Sequence, residues 1–266
     1  MHETRAVILA AGKGSRMQSE LPKVLHAVEG KTMIEHSIEK ARQAGVGEII
    51  LVVGYKREMI METLGDQVKY AVQEKQLGTG HAVAQASGLL RDFEGNVVVL
   101  YGDMPLINPS TVSRLIKTRE QDDVRAAVLT IVLDNPPDFG RIIRDGEGRV
   151  TRIVEVKDAT PEEYAVKEVN VGMYCFDCQS LLSALGELGN DNAQGEYYLT
   201  DVVEIMCNKG LRVETVTADT LEETLGINDP HHLEFAEKLS DIGFAESLYE
   251  LIDATLAMER KLKKSQ

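Results

Sequence analysis

The run Ala6-Val7-Ile8-Leu9 passes without a break into Ala10-Ala11-Gly12-Lys13-Gly14-Ser15-Arg16-Met17, and Leu21-Pro22-Lys23 follows closely. A short, wholly apolar run of this kind suits a strand buried on both faces, as in a parallel sheet. Gly12 and Gly14 permit φ > 0 and let backbone N–H groups come close to a ligand. Clustered N–H groups in such a loop form a concave anion site. Arg16 adds a planar fork of donors, and Lys23 a point charge. The combination suits a grip on a polyphosphate; the competing reading is a plain strand-to-helix turn with surface cations. The phosphate loop G-x-x-x-x-G-K-[ST] is absent, and the dinucleotide pattern G-x-G-x-x-G fails at Met17.

Composition narrows the field. The 266 residues suffice for one large domain or two small ones. A net charge of −14 argues against a phosphate-backbone surface, so no nucleic-acid partner is expected. Arg16 and Lys23 still allow a local cationic pocket for a small anionic ligand. No stretch approaches the roughly 20 apolar residues of a membrane span. The N-terminus lacks a signal-peptide layout, which predicts a cytoplasmic protein without a membrane partner. Three cysteines make no disulfide framework. Cys175-Phe176-Asp177-Cys178 matches C-x-x-C, but no second pair or nearby histidine completes a zinc set, so a packing role is expected. Cys207 is expected in the core.

Strand and helix signals alternate over the first hundred residues. Glu48 to Val53 and Asn96 to Leu100 read as further buried strands. Thr32 with Glu35 forms a capping-box pattern ahead of Met33, Ile34, Ile38 and Ala41, closed at Gly45. A helix is predicted over Thr79 to Leu89, with Ala82, Val83, Ala86 and Leu89 or Leu90 inward. Another starts at Pro109 ahead of Val112, Leu115 and Ile116. This alternation predicts an α/β fold with a doubly wound, Rossmann-like, mostly parallel sheet. Beyond it, Ala126 to Leu133, Arg141 to Ile143, Val150 to Val156 and Val169 to Phe176 read as strands. Asp145-Gly146-Glu147-Gly148 is a turn between two of them. They predict a partly antiparallel extension covering one side of a ligand crevice. Helices are predicted over Ser180 to Leu188 and Thr200 to Asn208, and a strand over Leu211 to Thr217. The division expected is a domain over 1–230 and a helical C-terminal tail over 231–266, with Gly243 separating two tail helices.

Ligands of open α/β sheets bind beyond the carboxyl ends of the strands. Gly12, the segment Gln73 to Gly80, and Tyr101-Gly102-Asp103 each follow a strand and so converge on one edge. Asp103 is the best metal candidate there, since Mg²⁺ takes one or two protein oxygens plus substrate phosphates; a turn Asp before Pro105 is the plain alternative. Asn228, in Gly226-Ile227-Asn228-Asp229-Pro230, is a second oxygen source or a helix cap.

Leu9 to Met17 with Leu21-Pro22-Lys23 resembles the signature of the sugar-1-phosphate nucleotidyltransferases. Gln76 to Ala82, Ile153-Val154-Glu155 with Lys157-Asp158-Ala159, and Asn192 to Asp201 narrow the likeness. They are similar to the uridylyltransferase half of the bacterial bifunctional enzymes that make UDP-N-acetylglucosamine. The similarity runs in order from about Ala6 to Asn228. It implies that Leu9, Ala10, Ala11 and Gly12, with Gln73, Gly78 and Thr79, hold the uridine nucleotide. Arg16 and Lys23 would bind the triphosphate and stabilise the transition state, and Asp103 and Asn228 would hold Mg²⁺. Tyr101, Gly140, Glu155, Asn170 and Asn228 would form the sugar side. Val171 departs from the small polar residue usual there. The acetyltransferase repeats of the longer members have no counterpart in these residues.

The function so implied is Mg²⁺-dependent transfer of UMP from UTP to N-acetylglucosamine-1-phosphate, giving UDP-N-acetylglucosamine and pyrophosphate. Glucose-1-phosphate or another sugar phosphate is the alternative within the class, and a silent nucleotide-sugar binding module the alternative outside it. The tail stripe Leu248, Leu251, Ile252 and Leu256 predicts either packing on the chain's own domain or a helix-mediated homodimer.

Overall fold

The opening apolar run becomes a central strand of a nine-stranded sheet. The structure is a computed structural model and describes residues 2–241. Strand β1 (Thr4–Ala10) leads through a small ribbon, β2 (Ala27–Val28) with β3 (Lys31–Thr32), into helix α1 (Met33–Gln43). Strand β4 (Glu48–Val53), helix α2 (Arg57–Leu64) and strand β5 (Lys69–Val72) follow. Helices α3 (Thr79–Ala84) and α4 (Ser87–Leu90) precede β6 (Asn96–Tyr101), and α5 (Pro109–Arg119) precedes β7 (Val124–Val132). A hairpin, β8 (Arg141–Arg144) with β9 (Val150–Val154), and the single turn α6 (Pro161–Tyr164) come before β10 (Glu168–Asp177). Helices α7 (Cys178–Leu185) and α8 (Asp201–Asn208), strand β11 (Arg212–Thr217) and helix α9 (Pro230–Asp241) follow.

The strand order is β11-β7-β10-β6-β1-β4-β5, with the β8–β9 hairpin attached through β10. Alternate residues of β1 serve opposite faces, as the pleat requires. Ala6, Ile8 and Ala10 join one core with Ile34 and Ile38 of α1 and Leu115 of α5. Val7 and Leu9 join the other with Val83 of α3, Leu181 of α7 and Val203 of α8. This is the doubly wound arrangement the sequence predicts. The chain leaves β1 toward β4 on one side and β6 lies on the other, so the switch in strand order falls between β1 and β6. A crevice at that point is where such sheets bind ligands.

The antiparallel component is more central than an extension. Strand β10 runs antiparallel inside the main sheet, between β6 and β7. Its first half therefore lies at the same edge as the carboxyl ends of β6 and β7. A register shift between Asn170 and Tyr174 bends it there, the usual effect of residues inserted into an antiparallel ladder.

Helix starts follow their capping chemistry. The Thr32–Glu35 box is formed on both sides, and Asn108 caps α5 ahead of Pro109. The helix predicted over Thr79 to Leu89 is instead two short ones, α3 and α4, with Leu90 buried and Leu89 exposed. Helix α7 begins at Cys178, earlier than predicted, because Asp177 accepts from Ser180 N at 3.0 Å and caps it. Helix α2 buries a narrow stripe, Ile60 and Leu64 one turn apart, while the apolar Met59 and Met61 face solvent. Helix α6 is a second capping box, Thr160 with Glu163, unread in the sequence.

Cys175 lies in β10, and Cys178 opens α7, both buried; burial pushes both thiols up, that of Cys178 to about 11. Cys207 is half-buried rather than core, and its thiol donates to the Val150 carbonyl at 3.3 Å. At the far end, Ala236 of α9 packs with Val28, Met33 and Ile227. Gly243 and the stripe Leu248, Leu251, Ile252 and Leu256 lie outside the described residues, and so does the dimer expectation built on them. Among the described residues no helix is long and apolar enough to cross a membrane.

Candidate active site

The loop after β1 turns at Gly14, whose φ of 61° is left-handed. A Cβ on Gly14 would come within 2.6 Å of the Lys23 Cβ, so glycine lets the two ends of this loop close on each other. Gly12 differs from expectation. Its φ is not positive, and a Cβ there would meet nothing within 4 Å. Its smallness is not demanded by the fold.

Two neighbouring loops are tied to this one. Gly102 N donates to the Leu9 carbonyl at 3.0 Å, and Tyr55 N to the Ala11 carbonyl at 3.2 Å. Gly54 sits at the junction, where a Cβ would lie 2.8 to 2.9 Å from Gln76 Nε2, Ala11 O and Gln73 O. Sequence reading missed Gly54; the signal was a glycine directly after a buried strand. Beside it, Gln73 is buried and its Nε2 donates to the Gly78 carbonyl at 3.1 Å.

Residues 196–199 clamp the Gly78–Gly80 turn from outside. Tyr197 N donates to Leu77 O, and Gly80 N to Tyr197 O, each at 2.8 Å. Thr79 Oγ1 accepts from Leu199 N at 3.1 Å, so its hydroxyl is committed to the clamp. Gly78 has φ 112°, and a Cβ there would stand 2.5 Å from Tyr197 O. The Asn192-to-Asp201 motif thus builds the turn rather than lining the crevice. Lys157 pairs with Gln194 Oε1, and Asp158 Oδ1 accepts from Ala193 N at 2.8 Å, which joins the Lys157-Asp158 motif to the same clamp.

On the other side of β6, Tyr101, Asp103, Gly140, Glu155, Asn170 and Asn228 line one cavity of about 240 Å³. The structure therefore gathers every residue expected on the sugar side. Phe139, Gly172, Thr224 and Gly226 line it too and were missed. The bulge in β10 aims Asn170 inward: its Oδ1 accepts from Gly172 N at 3.0 Å and its Nδ2 donates to Tyr174 Oη at 2.7 Å. Gly172, at φ 93°, brings the strand so close to Tyr101 that a Cβ would lie 3.0 Å from its ring. Glu155 Oε1 accepts from Thr200 Oγ1 at 3.1 Å. Burial pushes the Glu155 carboxyl above the usual carboxylate range, Thr200 opposing and Asp158 adding to it. The Tyr101 and Tyr174 phenols are pushed up by burial and stay neutral. Arg141, fully buried, holds the cavity's rim. It donates to Pro137 O at 2.9 Å, to Phe139 O, and to Tyr164 O at 3.2 Å, with its guanidinium 5.0 Å from the Tyr164 ring centre.

Between the two halves lies a knot of charge. The Lys23 ammonium pairs with Asp103 and donates to Asn228 Oδ1 at 3.0 Å. Arg16 reaches the same Asn228 oxygen at 2.9 Å. Ile227 N donates to Asp103 O at 2.8 Å, which ties the β11–α9 connection to the β6 loop. Asp229, not Asn228, caps α9, accepting from His232 N at 2.9 Å. The alternative reading of Asn228 as a helix cap is thereby removed.

A family model for nucleotidyl transferases matches residues 5–258. The chain belongs to the nucleotidyl transferase family. That match carries past Asn228, where the motif resemblance ends. The chain is 51% identical over 224 residues to the Bifunctional protein GlmU of Acetivibrio thermocellus, covering 84% of this chain and 49% of that protein. It is 52% identical over 233 residues to the protein of the same name from Lactobacillus johnsonii, covering 88% and 50%. The chain spans about half the length of the curated relatives it matches. A crystal structure from Bacillus anthracis, assigned as a glucose-1-phosphate thymidylyltransferase, has the same fold. Its TM-score is 0.72 at 23% identity, covering 92% of this chain and 98% of that one.

Proposed function

We propose that this nucleotidyl transferase moves UMP from UTP to N-acetylglucosamine-1-phosphate, releasing pyrophosphate. The observation that carries the reading is the knot of Arg16, Lys23, Asp103 and Asn228, which stands between a small-residue loop edge and a polar cavity. The first suits a nucleoside triphosphate and the second a sugar. Identity of about half to the relatives named above supports the choice of uridylyl transfer.

The nucleophile is a phosphate oxygen of the sugar phosphate, attacking the α-phosphorus in line as the bond to the β-phosphate oxygen breaks. It is already an anion, so no general base is required. The difficulty is bringing two anions together. Arg16 and Lys23 offset that repulsion and meet the charge developing on pyrophosphate. Leu9 to Gly12, Gln73 and the Gly78–Thr79 turn orient the nucleotide. Tyr101, Gly140, Glu155 and Asn170 orient the sugar phosphate, and positioning supplies much of the rate.

Asp103 and Asn228 fit a divalent cation. Their oxygens already converge on one positive group, the Lys23 ammonium. One carboxylate and one amide oxygen form the hard, sparse donor set that Mg²⁺ completes with phosphates and water. Among the described residues no cluster of three or more His, Cys, Asp or Glu could hold a metal ion. On the chemistry of that donor pair we assign Asp103 and Asn228 as the Mg²⁺ ligands, where the ion would neutralise charge on the phosphates.

The test is pyrophosphate release over a panel of nucleoside triphosphates and sugar-1-phosphates, with and without Mg²⁺. The expected result is turnover confined to UTP with N-acetylglucosamine-1-phosphate. Equal use of glucose-1-phosphate would move the acceptor, and no turnover with any pair would leave a binding module.

A further inference from the structure

His81, the third residue of α3, touches none of the residues assigned to phosphate, sugar or metal, yet it faces Gln73. Gln73 Nε2 donates to the Gly78 carbonyl at 3.1 Å and lies 3.0 Å from His81 Nδ1. A carbonyl oxygen can only accept, so the nitrogen end of the Gln73 amide must face Gly78. The second amide hydrogen then points at His81 Nδ1, which must carry the lone pair, placing the ring proton on Nε2. Gln85 Nε2 donates to the His81 backbone carbonyl at 2.9 Å; the protonated ring Nε2, 3.3 Å away, offers it no lone pair, so this contact fixes the backbone and not the ring. The Tyr197 ring lies near the imidazole, 6.2 Å between centres.

Both amide hydrogens of Gln73 are therefore committed within the protein. Its Oε1 is left as an acceptor, and no described residue donates to it in a hydrogen bond. Gln73 follows β5 at the carboxyl edge, next to Gly54 and the Ala11 carbonyl, where the nucleotide is proposed to sit. We infer that His81 is a positioning residue for base selection: by accepting the second amide hydrogen of Gln73 it reinforces the Gly78 carbonyl in keeping Oε1 toward the base. Such a site suits a pyrimidine with hydrogen on N3, as in uracil or thymine. It opposes cytosine, whose N3 is itself an acceptor. Without the imidazole acceptor only the Gly78 carbonyl still opposes inversion of the amide, so the orientation that presents Oε1 loses one of its two restraints. The inference rests on the uridylyl-transfer reading.

The experiment measures kcat/KM for UTP, CTP and dTTP in wild type and in His81→Asn, His81→Gln and His81→Phe. Asparagine puts an acceptor close to the Nδ1 position, whereas glutamine is polar but reaches the Nε2 position, and phenylalanine offers none. The expected result is a UTP-to-CTP ratio reduced on the order of tenfold in His81→Phe and His81→Gln, because a site built for one hydrogen-bond pattern rejects the other. The ratio should be restored in His81→Asn, and UTP-to-dTTP should stay unchanged in all. A purely structural role would lower kcat/KM for the three nucleotides alike and leave both ratios where they were. An unchanged UTP-to-CTP ratio in folded His81→Phe or His81→Gln overturns the inference while leaving uridylyl transfer intact. Absence of UTP turnover in the wild type overturns the functional reading, and this inference with it.

Discussion

Arg16 donates to Asn228 Oδ1 at 2.9 Å, joining residues 212 positions apart in the chain. The same oxygen accepts from Lys23, so two cations from the first loop meet on one amide from the last. An amide oxygen carries no full charge and cannot neutralise them; Asp103, the one carboxylate of the knot, pairs with Lys23. The knot therefore keeps a positive surplus at the switch point of the sheet, within a protein whose net charge is −14. That surplus is what a bound triphosphate needs.

Asp103→Asn removes the carboxylate from this knot while keeping an oxygen that can still accept from Lys23. Mg²⁺-dependent kcat should fall on the order of 10²-fold or more, as when one preorganised electrostatic group is lost from an active site. The melting temperature should move little. Near-normal Mg²⁺-dependent turnover would remove Asp103 from the metal assignment.

Arg16→Ala and Lys23→Ala should each reduce kcat more than they raise KM for the sugar phosphate, since in the proposed reaction both would face charge that develops in the transition state. Steady-state kinetics with the acceptor varied separates the cases. A change restricted to acceptor KM would place these cations on the sugar phosphate instead.

Gly78→Ala and Gly12→Ala should part company. Gly78 combines φ 112° with backbone 2.5 Å from a new Cβ, so alanine there should cost about 2 kcal/mol or more by overpacking and strain. Gly12 has open space and no left-handed φ, so Gly12→Ala should change stability by no more than about 0.5 kcal/mol. If its backbone meets the nucleotide, Gly12→Ala should nevertheless raise KM for UTP. Chemical denaturation and kinetics on the same two variants check both statements.

Burial and the nearby Glu204, Glu155 and Asp158 carboxylates raise the Asp201 carboxyl from 3.8 to about 6. The folded protein holds this proton more tightly than the unfolded chain, so stability falls as pH rises from about 4 through about 6. Asp201→Asn lacks that loss. It should be more stable than wild type above pH 6, by about 1 kcal/mol once solvent screening is allowed for, with the gap closing below pH 4. Denaturation midpoints at pH 4 and pH 8 test the sign.

Glu155→Ala leaves a cavity wall without its acceptor. The proposed preference for N-acetylglucosamine-1-phosphate over glucose-1-phosphate should shrink, because a site that hydrogen-bonds its substrate discriminates through those bonds. An unchanged ratio of kcat/KM for the two acceptors would mean that Glu155 does not read the sugar.

Local chemistry was legible in the residues alone. The apolar runs of β1, β4 and β6 announce buried parallel strands, and Thr32 with Glu35 and Asn108 with Pro109 announce helix starts, because caps and pleats act over a few positions. Arg16, Lys23 and Asp103 stand out as charges beside small residues at strand ends. What the residues could not determine depends on distance across the fold. The break between α3 and α4, the place of β10 within the main sheet, and the choice of Asp229 rather than Asn228 as the α9 cap are set by packing partners far away in sequence. So is the need for glycine at 54, 78 and 172, where a Cβ would strike another segment. Spacing along a chain specifies which backbone shapes are cheap; only the closed sheet decides which side chains then share the same few ångströms.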